Sequence, residues 1–450
     1  MISGTDHLAL HKIYEGTVES VAFGGEGIIR HNNFVVFVPY TVPGDRIQFR
    51  ITELKRSFAR GKIERILNPS SFRVTPPCPI YFTCGGCQHQ EFEYLKSVEE
   101  KSRILEGLLR HGLKLEKIPM EPPIPSPLSY GYRHKMQVAV GESSDGKLLI
   151  GLYETLSHRI VDMQTCPIQH PVNNQLLDAF RKAIPSLGWR PYHENSNIGL
   201  IRHFLGRVNQ KGEAFAVIIA TQKALPYWES LREALSKTVP ELQGLAVNVN
   251  PMRTNVVLGT QTHLLWGKSF LEESVGKFSF KFGPTSFFQV NPLLLPKVTD
   301  KIIEWLAPSK NDKVLDLYCG VGTFSLPLAE HADEVVGIEE NSESIEWAKE
   351  NAKANRIKNV KFIVGRAEDR FQNAPSLVLL DPPRSGLHPA VLEKLLKLKP
   401  KRIAYLSCNP STLTRDLGVL LKGGWKLSRA TAVDFFPQTS HIEALALLET

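Results

Sequence analysis

From Asn291 onward the sequence alternates short apolar runs with stretches of helical spacing, and this alternation constrains the fold more than any other feature. The runs are KVLDLYC, EVVGIEE, VKFIVG, LVLLDPP, RIAYLSC, KLSRATAVDFF and EALALLE. Helical spacing falls at about 292–306, 324–331, 342–354, 389–397 and 411–422. Such an order predicts a parallel sheet covered by helices on both faces. In sheets of this kind ligands bind beyond the carboxyl ends of the strands. The residues that end these strands are therefore the first candidates for chemistry.

They are not ordinary turn residues. VLDLYCGVGTFSLPLAE places Gly320 and Gly322 between a strand and a helix, with Asp316 just before them. Glycine there allows a tight turn and close approach to a ligand. The spacing is not the G-x-G-x-x-G of dinucleotide binding. With Glu339 ending the next strand, where a carboxylate can hold ribose hydroxyls, the pattern suits S-adenosylmethionine better than NAD. LVLLDPPRSG leaves Asp381 at a third strand end, stiffened by Pro382 and Pro383. YLSCNP leaves Cys408 at a fourth. A lone cysteine is most often packing, but this one precedes a helix start, which is expected to lower its thiol pKa and make it nucleophilic. In SHIE, at the start of the last strand, His441 and Glu443 are expected to point the same way, with Glu443 a candidate general base. One thiolate and one carboxylate suffice for a covalent cycle on uracil. The thiolate adds at C6, C5 becomes nucleophilic, and the base later removes the C5 proton.

The remainder of the chain adds two further units. Residues 11–67 read as several short strands with Gly and Asp turns, which predicts a small closed barrel of the OB type. Residues 130–288 read as mixed strands and helices, an α+β middle domain. Between them a helix over 91–113 is expected to end at Gly112. Domain boundaries are expected at 1–68, 69–290 and 291–450. The chain has 450 residues, a formal net charge of +8 and no apolar run long enough for a membrane span, so a cytoplasmic protein with a polyanionic partner, RNA or DNA, is expected. The segment at 1–16 lacks the features of a secretory signal. Three of the six cysteines cluster as Cys78, Cys84 and Cys87, and Cys166, followed like Cys78 by proline, is a plausible fourth ligand. Four thiolates suit an iron–sulfur cluster or zinc.

In combination CPIYFTCGGCQHQ, SYGYRHK, SHRIVDMQTCP, FFQVN, DLYCGVGTFSLPLA, LLDPPRSGL, YLSCNP and SHIE resemble the RNA uracil-C5 methyltransferases, in particular bacterial members with an N-terminal TRAM barrel and a [4Fe–4S] cluster. The resemblance covers nearly the whole chain. It implies a Rossmann-like catalytic domain, Cys408 as nucleophile and Glu443 as base. It implies S-adenosylmethionine contacts from Gln289, Tyr318, Thr323, Glu339 and Asp381, and cluster ligation by Cys78, Cys84, Cys87 and Cys166. Arg133 and Lys135 are candidates beside the pocket. The barrel and cysteines are more similar to the 23S ribosomal RNA branch, with a tRNA T-loop uridine as the alternative. The expected enzyme is a monomer that needs no membrane.

Overall fold

The computed structural model describes residues 8–194, 196–371 and 375–450; residues 1–7 of the expected barrel lie outside them. The first unit is a six-stranded sheet between Ile13 and Asn68. The strand Ile13–Thr17 pairs with Arg46–Leu54, and its continuation at Ser20–Val21 pairs with Gly27–His31. One bent strand thus closes the sheet on itself. Alternation puts Val18, Ile29, Val36, Val38, Ile47, Phe49 and Ile51 inside, where they form a core of their own.

The middle unit is a seven-stranded sheet formed between Lys135 and Gly267. The helices Pro171–Leu187 and Trp228–Thr238 pack on one face. The other face contributes Leu205, Phe215, Val217 and Ile219 to a core shared with the third unit, so the two are joined by buried apolar surface rather than by a loose linker. At roughly 1.5–3 kcal/mol for each fully buried aliphatic or aromatic side chain, that shared core resists separation.

The third unit is a seven-stranded sheet. Its order, written by first residue, is Val360, Glu334, Lys313, Leu377, Arg402, Glu443, Lys426. The central strand Leu377–Leu380 is buried at every position, as a strand covered on both faces must be. One departure from the expected parallel sheet matters for the site. The strand Glu443–Glu449 runs antiparallel to both its neighbours. Its amino end therefore lies at the rim formed by the carboxyl ends of the others.

Two segments that sequence order assigns to the middle unit pack on the third. The helix Tyr94–Leu113 lies on the helix Pro410–Lys422, and Met120 and Ile124 bridge to Ala430 and Val433 at the sheet edge. Gly112 does not end the first helix, which continues to a left-handed cap at Lys114. A Cβ at Gly112 would stand 2.2 Å from Thr414 Cγ2, so the glycine permits close approach of the two helices instead. No helix among the described residues is long and apolar enough to cross a membrane.

Candidate active site

The turn after Lys313–Leu317 is built for close approach. Tyr318, Gly320 and Gly322 all take positive φ, at 69°, 54° and 85°. A Cβ on Gly322 would meet the Phe362 ring at 3.0 Å. Thr323 follows, half-buried. The Gly320 N–H donates to Glu339 Oε2 at 3.3 Å and ties the turn to the next strand end. Asp316 is buried beneath the turn: one carboxylate oxygen accepts from Ser325 Oγ at 2.5 Å, and Oδ1 has no partner.

Asp316, Glu339 and Asp381 form an acidic group that has no ion-pair partner among the described residues. Burial, reinforced by the charges of Asp316 and Glu339, pushes Asp381 up to about 7. Burial likewise pushes Asp316 up to about 7, against the Ser325 bond, and raises Glu339. Three mutually repelling carboxyl groups around a glycine turn, one with an orphaned oxygen, suit a cationic ligand.

Cys408 and Glu443 meet at the same rim. The antiparallel register pairs Ser407 with Ala444, so the next residue, Cys408, stands beside Glu443. Cys408 is half-buried between the strand end and Asn409, whose side chain caps the following helix at Ser411 N–H. Glu443 is 5% exposed, and its Oε2 has no hydrogen-bond partner. Burial, then the charges of Asp381 and Asp434, raises Glu443 well above the usual carboxylate range, while Arg384 acts in the opposite sense.

The expected low thiol pKa is reversed. Burial raises Cys408, and Glu443 and Asp381 raise it further; Arg384 opposes them. The helix start is present, but loss of water and two nearby carboxyl groups act against it. Arg384, which sequence reading left unassigned, is thus the cation that favours the charged form of both groups. Its backbone carbonyl accepts from Asn409 Nδ2 at 3.0 Å and Thr412 Oγ1 at 3.3 Å, so the Asp381 loop and the Cys408 turn are held together. Its position three residues after Asp381 was the available signal.

Gln289 approaches from the segment that joins the middle sheet to the third unit. It is 8% exposed and lines a narrow cleft with His134, Lys135 and Arg207. Lys135 faces Arg207 across paired strands. Burial, then Arg207 and Arg133, pushes the Lys135 amine down to about 7. His441 does not share a strand with Glu443 as expected: the strand begins at Glu443, and the His441 ring packs edge-on to Phe436 with ring centres 5.5 Å apart.

A methyltransferase-domain family profile matches residues 308–415, and a TRAM-domain profile matches residues 12–63. An uncharacterised RNA methyltransferase of Halalkalibacterium halodurans is 36% identical over 97% of both chains. Another, of Synechocystis sp., is 37% identical over 97% of this chain and 96% of its own. The chain belongs to the RNA methyltransferases. A solved tRNA (uracil-54, C5)-methyltransferase of Pyrococcus abyssi, in complex with S-adenosyl-L-homocysteine, matches with a TM-score of 0.75 at 25% identity, covering 97% of this chain and 100% of that one.

This RNA methyltransferase also gathers its four clustered cysteines. Cys78, Cys84, Cys87 and Cys166 line one cavity of about 210 Å³. Gly85 lies against the strand Leu148–Tyr153, where a Cβ would meet the Tyr153 carbonyl oxygen at 2.8 Å, so the loop needs glycine there. Burial pushes the Cys87 thiol up to about 12 and the Cys166 thiol up to about 11, and the neighbouring sulfurs add to both. Among the described residues no three histidine, cysteine, aspartate or glutamate side chains stand close enough to hold one metal ion between them.

The enzyme holds a second group that sequence reading did not find. Lys101 Nζ, on the helix Tyr94–Leu113, pairs with Asp434 at 2.7 Å and donates to the Phe436 carbonyl at 3.0 Å; both ion-pair side chains are 2% exposed. The partners lie 333 residues apart, beyond any sequence pattern.

Proposed function

We propose that this enzyme transfers the methyl group of S-adenosylmethionine to C5 of a uridine in RNA, through a temporary bond between Cys408 and C6 of the base. The observation that carries the reading is the adjacency of Cys408 and Glu443 in register, at the rim that also holds the acidic group. When bound, S-adenosylmethionine supplies an electrophilic methyl on a sulfonium. Asp316, Glu339 and Asp381 would hold its positive charge, with Gln289, Tyr318 and Thr323 beside it.

Cys408 loses its proton to solvent, favoured by Arg384, and adds to C6. The C5–C6 double bond opens toward the O4 carbonyl, and C5 acquires enolate character and takes the methyl group. Glu443 then removes the C5 proton, the double bond re-forms and Cys408 leaves as thiolate. A carboxyl group raised by burial is a stronger base than a free one, which suits it to this step. The uridine must leave its stack to reach the rim. The basic surplus and the TRAM barrel favour an RNA chain around it.

The four cysteines line one cavity and would supply the four thiolates that a [4Fe–4S] cluster takes, one at each iron. Bound there, it would cross-link the loop 78–87 to the turn at Cys166.

We read the barrel with four cysteines as favouring a uridine of 23S rRNA. The full-length likeness to a tRNA enzyme favours a T-loop uridine as the second reading. Mass-spectrometric mapping of 5-methyluridine in 23S rRNA and tRNA, from cells with and without this protein, separates them. Loss of one 23S methylation is expected; loss confined to tRNA establishes the second reading, and no loss in either RNA contradicts both.

A further inference from the structure

Glu443 opens its strand, paired with Val433 across the ladder, and the residues just before it set how the chain enters that position. Residues 434–442 form no helix or strand, yet six of the nine are buried, and Gln438 takes a left-handed φ of 66°. The early part is fastened by the helix Tyr94–Leu113 and by Tyr132 of the middle unit. Lys101 holds Asp434 and the Phe436 carbonyl, and the Tyr132 hydroxyl donates to the Pro437 carbonyl at 3.0 Å. The later part, next to Glu443, is fastened by the cysteine loop. The N–H groups of Gln88 and His89 both donate to the Gln438 carbonyl at 3.0 Å. Gln88 Oε1 accepts from Ser440 N–H at 3.1 Å and Ser440 Oγ at 3.3 Å.

The Gln88 side chain is bonded at both ends. Its Nε2 donates at 3.0 Å to the carbonyl of Gly85, which lies between Cys84 and Cys87. Thr439 and His441 also line the cavity that holds the four sulfurs. The cysteine loop and the segment leading to Glu443 therefore share a wall and one bridging side chain. With Oε2 of Glu443 unpartnered, its carboxyl group is placed by its backbone, which Val433 holds across the ladder on one side and this segment leads into.

We propose that Gln88 is a positioning residue that links the order of the cysteine loop to the placement of Glu443, and so to the proton removal that ends the catalytic cycle. The inference rests on the covalent uracil mechanism above. Loosening the loop leaves Cys408 in place, because its turn is fixed by Asn409, Arg384 and Thr412 instead. Addition and methyl transfer therefore continue while release slows. A displacement of about 1 Å at a catalytic group costs on the order of 100-fold.

The test compares wild-type enzyme with Gln88→Ala and with Cys84→Ser, using ordinary uridine RNA and 5-fluorouridine RNA on denaturing gels. Wild type and Gln88→Ala are both expected to be trapped by 5-fluorouridine RNA, since fluorine at C5 cannot leave as a proton. With ordinary RNA, Gln88→Ala is expected to accumulate the covalent adduct, with release slowed ~100-fold, and Cys84→Ser to do the same. Hydrogen exchange at residues 436–443 is expected to rise in both variants, a readout independent of turnover. Wild type trapped normally, with neither adduct accumulation nor faster exchange in the variants, overturns the positioning role alone. Failure of wild type to be trapped overturns the covalent reading and the inference with it.

Discussion

If the acidic group at the rim holds the methyl donor, as proposed, donor binding depends on pH. Asp381 and Asp316 are both pushed up to about 7, first by burial. Above that pH they are charged and attract a sulfonium; below it they are neutral and do not. If only the charged form of one carboxyl group binds the donor, its available fraction falls ~10-fold between pH 8 and pH 6, and two such groups give ~100-fold. The stability of the free protein runs in the opposite direction. A carboxyl group whose folded pKa is raised costs the free protein stability as pH climbs from the unfolded value, about 4, towards 7, and donor binding restores it. Isothermal titration of S-adenosylmethionine and S-adenosylhomocysteine over this range measures both. Donor affinity is expected to weaken toward pH 6, more steeply than for the uncharged thioether of the product. Asp381→Asn is expected to flatten part of the slope. Affinity that is level or rises toward pH 6 refutes the argument.

The buried Lys101–Asp434 pair and the glycine of the cysteine loop give two further predictions. Lys101→Met strands a buried carboxylate whose second oxygen already lacks a partner, and is expected to cost about 3–5 kcal/mol in urea unfolding. Lys101→Met with Asp434→Leu should recover most of that loss, and a single variant within about 1 kcal/mol of wild type contradicts the assignment. Gly85→Ala drives a methyl group against the Tyr153 carbonyl and the Thr155 amide, so the purified variant is expected to carry less iron than wild type by metal analysis. Unchanged iron content contradicts the role given to that close approach.

The rim was legible in the sequence because a parallel sheet delivers successive strand ends to one edge. Glu339, Asp381 and Cys408 could be placed there as strand ends. Glu443 could be named, but the reason it reaches Cys408 could not: an antiparallel last strand is a fact of topology, invisible in a seven-residue apolar run. Gly112 shows the opposite failure. Its position suggested a helix end, while its cause lies in Thr414 on a distant helix. The direction of the Cys408 shift was also out of reach. A helix start is a local feature and can be read, whereas burial and the approach of two carboxyl groups arise only after the units assemble. Lys101 with Asp434, and Gln88 with Ser440, belong to the same class of long-range pairs.

The central claim is tested most directly by intact-mass measurement of the enzyme after incubation with S-adenosylmethionine and a 5-fluorouridine form of its RNA substrate. Wild type is expected to gain the mass of the RNA and one methyl group, with the linkage mapped to Cys408, and Cys408→Ala to gain neither. An adduct that persists in Cys408→Ala, or methylation of ordinary RNA by that variant, contradicts the account.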